Sequence, residues 1–171
     1  MKHIISSFLC CLGCYLVGCG QSSEVKVKSP AFDQTIQMLI DQSVPLMGVD
    51  SLSKTYRSVQ LLDAREKREF KISHIEGATW VGYDDFNATR LKKLDKKQPV
   101  VVYCSVGYRS EKIGEKLKEL GFEDVSNLYG GIFEWSNQGH PLVDKSGEAT
   151  QKVHAYDQIW GVWLEKGEKV Y

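Results

Sequence analysis

The stretch Val100-Val101-Val102-Tyr103-Cys104-Ser105-Val106-Gly107-Tyr108-Arg109 decides the fold class of this chain. Its first four residues form a continuous apolar run rich in β-branched side chains, which predicts a central strand buried on both faces. Ile113, Leu117 and Leu120 then recur on one predicted helical face, and Gly121 is placed to stop that helix. Residues 104–109 therefore read as a tight connection from the carboxyl end of a buried strand into a helix. In open parallel sheets that edge is where ligands bind.

The same alternation extends outward on both sides. Upstream, Phe32, Ile36, Leu39 and Ile40 have helical spacing behind Pro30, and Ser43–Met47 reads as an edge strand because it contains Pro45. Val49–Tyr56 predicts a short helix, Val59–Leu62 a strand ending in Asp63, Arg65–Lys71 a polar helical turn, and Thr79–Val81 a strand. Leu91 and Leu94 mark another short helix. Downstream, Val125–Leu128 predicts a strand, and Gly130-Gly131 breaks the chain before a helix carrying Ile132, Phe133 and Trp135. Strands alternating with helices predict a parallel α/β sheet covered on both faces.

The connecting loop has the composition of an anion cradle. A tight strand-to-helix turn points successive backbone N–H groups inward, and the helix N-terminus adds partial positive charge. Gly107 allows a backbone conformation other residues resist, and Arg109 adds a guanidinium fork. Each of these favours a sulfur anion at a cysteine in position 104. Arg109 has a second reading, as a helix-start arginine paired with a neighbouring acid. Ser110 reads as a helix-terminus residue.

The N-terminus is of different material. Residues 1–18 carry one lysine and a short apolar stretch that fits a signal peptide better than a membrane span. The stretch ends in Leu16-Val17-Gly18-Cys19, which resembles the bacterial lipobox. That resemblance implies cleavage before Cys19, lipid on its thiol, and a chain tethered to the membrane through residues 19–30. Gly20 in second place resembles the pattern for outer-membrane delivery, so the expected address is the periplasm-facing cell envelope. Of the five cysteines, cleavage would leave Cys19 and Cys104. With Cys19 acylated, Cys104 would be the one free thiol, with no internal disulfide partner.

Three ordered signatures carry a family resemblance. CSVGYRS (104–110) resembles the active-site loop of single-domain rhodaneses, C-x-x-G-x-R-S; LLDAREKREF (61–70) with HIEGA (74–78) resembles their upstream signature; and LYGGIFEWSNQGHPL (128–142) resembles their closing one. Ser73 departs from the pattern, which usually has Gly before the His. The resemblance implies the rhodanese-like fold, with a central, mostly parallel five-stranded sheet and helices on both faces, over residues 31–143. Residues 144–171 lie outside it as an aromatic extension with Tyr156, Trp160, Trp163 and Tyr171, in which Ile159, Val162 and Trp163 could form one apolar face; it is expected either to pack on the domain or to act as a lid or partner surface near the site.

The implied activity is sulfurtransferase chemistry. Thiosulfate or a persulfide would give its outer sulfur to Cys104, and the Cys104 persulfide would pass it to a thiophilic acceptor. Ser105, Val106, Gly107, Tyr108 and Ser110 would form the substrate-binding loop, with Arg109 orienting an incoming sulfonate. Asp63 and Arg65 are implied as a pair supporting the loop, and His74 as a further supporting residue. Expected partners are small sulfur anions or thiols, or an extracytoplasmic protein thiol. Two alternatives stand beside this: a membrane-tethered docking module, and a thiol-redox partner without turnover. Phosphatases of this fold have a longer C-x5-R loop, whereas four residues separate Cys104 from Arg109 here.

Other classes are not indicated. Lys+Arg and Asp+Glu both number 22, so no global field points to nucleic acid. His3, His74, His140 and His154 show no metal-ligand spacing. No Gly-Lys-Ser/Thr phosphate motif is present, and no cofactor is expected.

Overall fold

The structure, a computed structural model, describes residues 25–171. The expected signal peptide of residues 1–18 and the expected lipid site Cys19 lie outside the described residues. The elements run α1 (Pro30–Leu39), β1 (Leu46–Met47), α2 (Val49–Thr55), β2 (Gln60–Asp63), α3 (Lys67–Ile72), β3 (Thr79–Trp80), a 3-10 turn (Ala88–Leu91), β4 (Val100–Tyr103), α4 (Tyr108–Glu119), β5 (Val125–Leu128) and α5 (Gly131–Asn137). Four short strands follow, β6 (Leu142–Val143), β7 (Ala149–Thr150), β8 (Lys152–His154) and β9 (Glu168–Val170), with a 3-10 turn (Trp160–Trp163) before β9.

The five-stranded sheet has the order β1-β5-β4-β2-β3, and every pairing in it is parallel. β4 lies at its centre, bonded to β2 on one side and β5 on the other. Its side chains alternate between two cores. Val101 and Tyr103 pack with Phe32 and Ile36 of α1, Leu52 of α2, and Ile132, Phe133 and Trp135 of α5. Val100, Val102 and then Cys104 pack on the other face with Leu62, Ile113 and Leu117. The continuous apolar run is therefore a strand with an apolar layer on each side.

The helix after β4 differs in one residue from its predicted face. Leu120 is 38% exposed, while Ile113 and Leu117 are buried. α4 ends in a Schellman arrangement, with Gly121 N–H on Lys118 O, Phe122 N–H on Leu117 O, and Gly121 at φ 86°. The reversal folds Phe122 back onto the core beside Leu117 and leaves Leu120 outside.

Both ends of the domain are more firmly built than their polar sequences suggest. Residues 25–29 are not a free tether. Val27 is buried in the core, its N–H donates to Asp33 Oδ1, and Lys28 N–H donates to Glu134 Oε1. The boundary expected at residue 143 falls inside a hairpin, because β6 pairs antiparallel with β7 and Val143 bridges His74.

Beyond it, β8 and β9 pair in parallel, and Val153, Ala155 and Leu164 are fully buried in the same core as α1 and α5. Burying a Val or Leu side chain contributes about 1.5–3 kcal/mol, so the extension is an integral part of the domain. Trp163 stacks on Phe32 at 5.3 Å. Ile159 and Val162, by contrast, are 78% and 60% exposed. In a 3-10 turn residues i and i+3 eclipse. Ile159 and Val162 therefore share the outer side, and Trp160 and Trp163 share the inner one.

Ser73, the departure from the family pattern, sits at the end of α3 with extended backbone (φ −163°), which any residue adopts. Its carbonyl accepts from Arg65 Nη2, but its fully buried hydroxyl has no hydrogen-bond partner among the described residues. Ser73→Ala should therefore raise stability by about 1 kcal/mol by removing an unsatisfied buried hydroxyl. Urea unfolding of the two proteins compares them directly, and an unchanged or lower midpoint would contradict this account.

Candidate functional site

Cys104 follows β4 directly, is 1% exposed, and is a free thiol. Its Sγ accepts a hydrogen bond from Gly107 N–H at 3.1 Å. Gly107 reaches this geometry at φ 127°, a region that favours glycine.

The loop is held by its carbonyls. Ile132 and Phe133, in the first turn of α5, donate to the Cys104 and Ser105 oxygens at 2.9 and 3.1 Å. Asn127 of β5 donates from Nδ2 to the Gly107 oxygen at 2.9 Å and accepts from Ser110 Oγ at 2.7 Å. With these oxygens drawn outward, the Gly107 amide is left to face the sulfur. The amides of Ser105, Val106 and Tyr108 have no acceptor among the described residues. Ser110 is thus a buried helix-start residue that ties the loop to β5.

Arg109 is placed otherwise than as a free anion-binding fork. Its Nη1 and Nη2 bind Glu69 Oε2 and Oε1 at 2.7 and 2.9 Å, and Nη2 also reaches Ser105 Oγ at 3.0 Å. Ser105 Oγ in turn donates to Glu69 Oε1, and Glu69 Oε2 accepts from the Glu66 backbone N–H. Glu69 is fully buried. Burial pushes its pKa up, but the hydrogen bonds and charge of Arg109 pull it below the ordinary 4.5 overall. Burial likewise lowers the pKa of Arg109, and the Glu69 hydrogen bonds more than reverse this, so the guanidinium stays charged. Arg109 pairs with a neighbouring acid, and the sequence reading had assigned that acid no role.

Asp63 and Arg65 form a separate ion pair at 2.7 Å, with both side chains fully buried. The Asp63 carboxylate also accepts the Arg65 backbone N–H, and Arg65 Nη2 reaches the Ser73 oxygen across α3. The pair fixes both ends of α3, the helix that carries Glu69, and lies off the cavity described below. His74 also lies off it. Its Nδ1 meets the Phe70 oxygen at 3.1 Å, and its ring stacks on Phe70 at 3.9 Å.

Cys104 opens into a cavity of about 360 Å³. Ser105, Val106, Tyr108 and Arg109 of the loop line it, as do Tyr156 and Trp160 from the C-terminal extension. Tyr156 holds a left-handed backbone (φ 66°), with its N–H on His154 Nδ1, and its ring lies 5.0 Å from the Arg109 guanidinium. Of the extension residues singled out from sequence, Tyr156 and Trp160 line the cavity, while the apolar face of Ile159, Val162 and Trp163 is absent from its wall. Glu69 and Asn127 were missed because their partners lie 40 and 17–20 positions away. The acid at position 69 was visible only as part of a signature.

Two predictions follow from this geometry. A Cβ at Gly131 (φ 55°) would stand 2.4 Å from the Cys104 oxygen and 2.6 Å from the Ser105 oxygen. Gly131→Ala should therefore cost at least about 2 kcal/mol in denaturant unfolding and displace the loop. The second concerns pH. His74, His140 and His154 are pushed below their ordinary 6.5, chiefly by burial. Their neutral forms contribute stability that is complete above 6.5 and drains as pH falls. The depressed Glu69 adds stability that is complete above 4.5 and is lost as pH falls through its lower folded value. Unfolding free energy measured across pH should thus decline in two acid stages, and Glu69→Gln should diminish the lower one, to which the depressed Glu115 also contributes.

The chain is similar to known proteins over this region. The family model described as Rhodanese-like domain matches residues 49–138. A probable adenylyltransferase/sulfurtransferase MoeZ of Mycobacterium tuberculosis is 36% identical over 86 residues, 50% of this chain and 22% of that protein. A tRNA uridine(34) hydroxylase of Listeria welshimeri is 43% identical over 79 residues, 42% of this chain and 24% of that protein. The adenylyltransferase and sulfurtransferase uba4 of Sclerotinia sclerotiorum is 27% identical over 139 residues, 72% of this chain and 28% of that protein. The chain thus spans 22–28% of the length of these relatives. Among solved structures, a rhodanese-like domain protein of Staphylococcus aureus is 27% identical with a TM-score of 0.52, covering 59% of this chain and 98% of that one. The rhodanese-like domain of an Anabaena protein is 25% identical with a TM-score of 0.54, covering 58% and 79%.

Proposed function

This chain belongs to the rhodanese-like domain family, and from that premise we propose that it is a sulfurtransferase working through a persulfide on Cys104. The observation that carries the proposal is the Gly107 N–H directed at Cys104 Sγ where the thiol opens into the cavity. In the first step the Cys104 thiolate attacks the outer sulfur of thiosulfate. A new S–S bond forms, the donor S–S bond breaks, and sulfite leaves with the electron pair. In the second step an acceptor thiolate attacks the outer sulfur of the persulfide, and the Cys104 thiolate is released.

The loop amides would hold the negative charge in both steps as fixed dipoles that need no reorganisation. Arg109 contributes through Ser105 and Glu69, as a brace for the loop. The relatives whose names include sulfurtransferase favour this reading over a docking module, and the whole cradle favours it too.

We further propose that lipid on Cys19 tethers the domain to a periplasm-facing membrane, with small sulfur anions or thiols, or an extracytoplasmic protein thiol, as partners. The lipobox-like sequence supports this. Among the described residues no helix is long and apolar enough to cross a membrane.

The test is intact mass after incubation with thiosulfate. The wild type should gain one sulfur that is lost on adding a thiol, and Cys104→Ser should gain none. A folded, reduced wild type that takes up no sulfur from thiosulfate or from a persulfide would overturn the proposal.

A further inference from the structure

The C-terminal extension lies beyond the matched family span of residues 49–138, yet it builds part of the cavity over Cys104. The cavity, at about 360 Å³, is of a size that holds organic ligands, and a five-atom sulfur anion would fill a small part of it. Leu39, Tyr83, Tyr108, Tyr156 and Trp160 give it an apolar and aromatic lining.

The aromatic pair from the extension is held in place. Tyr156 keeps its left-handed backbone through the His154 Nδ1 bond, and Trp160 N–H is capped by Asp157 Oδ1 at 2.8 Å. Below them, Asn137 binds the Trp163 oxygen and the Glu165 and Lys166 amides, and so locks the end of the turn to α5.

The charges of the cavity point the same way. Glu66, Asp84, Arg68 and Arg109 line it. Arg109 is neutralised by Glu69, which leaves two carboxylates against the exposed Arg68. Such a lining disfavours a small dianion. It suits a singly charged donor whose remaining bulk is uncharged.

We propose that residues 153–164 form a selectivity wall, in which Tyr156 and Trp160 favour sulfur donors bearing a planar apolar organic group next to the transferable sulfur. This rests on the sulfurtransferase reading and names the donor class for that same cavity. With an aryl thiosulfonate, the Cys104 thiolate attacks the sulfane sulfur, the sulfur–sulfonyl bond breaks, and the aryl sulfinate leaves with the electron pair. The product is the same Cys104 persulfide, and no oxidant is consumed.

The experiment compares kcat/KM for benzenethiosulfonate with that for inorganic thiosulfate in the full chain, with one thiol acceptor throughout. The wild type should prefer the aryl donor. Trp160→Ala and Tyr156→Ala should each lower that preference roughly tenfold, mainly through KM for the aryl donor, and Trp160→Phe should largely restore it. Val162→Ala, on the outer side of the same turn, should leave the ratio unchanged. If the wild type forms the persulfide yet shows no aryl preference, or if the ratio survives both alanine variants, the wall is overturned and the sulfurtransferase reading stands. If neither donor loads Cys104, the sulfurtransferase reading itself fails.

Discussion

Glu69 is a fully buried carboxylate whose two oxygens accept from Arg109, Ser105 and the Glu66 backbone. Taking two charges out of water costs several kcal/mol per ion, and only close geometry with further hydrogen bonds recovers it. Here the geometry is bidentate and the carboxylate oxygens are fully used. Removing either partner would leave a buried charge alone, at about 3–5 kcal/mol. The contact joins α3, which follows β2, to the loop that follows β4. It therefore fixes the first turn of α4 relative to the strand beside it, and with it the loop that bears the thiol.

The opposite side of the loop is held by backbone. The first amides of α5 would otherwise be orphan donors at a helix start, and they take the carbonyls of Cys104 and Ser105. Gly131 permits this approach, because any side chain there would overlap both oxygens. Asn127 adds a third hold from β5. With carbonyls bound to α5 and β5 on one side and side chains bound to Glu69 on the other, the loop has little freedom to turn the Gly107 amide away from the sulfur.

This division explains what could be read in the chain. The strand, the loop and the helix behind it are local, and their periods and glycines are written in consecutive residues. Cys104, Gly107 and Ser110 were legible for that reason, as was the parallel sheet. The partners of Arg109 and Gly107 lie on other elements, and nothing in a polar helical turn marks Glu69 as its buried acid. Where the local period changed, the reading slipped. Leu120 fits an α-helical stripe that the Schellman reversal ends before it, and Ile159 and Val162 fit a helical face that a 3-10 turn does not have. The family pattern stops before the extension, so no signature could place Tyr156 or Trp160 over the thiol.

The pairing of Arg109 changes what the cradle can be asked to do. A free guanidinium beside the sulfur would bind any small anion, including the sulfite that would leave in the proposed first step. A guanidinium already neutralised by Glu69 binds such products weakly. On the proposed sulfurtransferase reading, the charge of a persulfide would then rest on backbone dipoles such as the Gly107 amide, which stabilise it without holding a mobile counter-ion. Selection among donors would then come from elsewhere, and the surfaces left for it are the cavity walls, where Tyr156 and Trp160 lie beyond the matched family span. Charge neutrality at the loop and an added aromatic wall would thus be two sides of one design: under the proposed function the loop would handle the sulfur, and the extension what the sulfur arrives on.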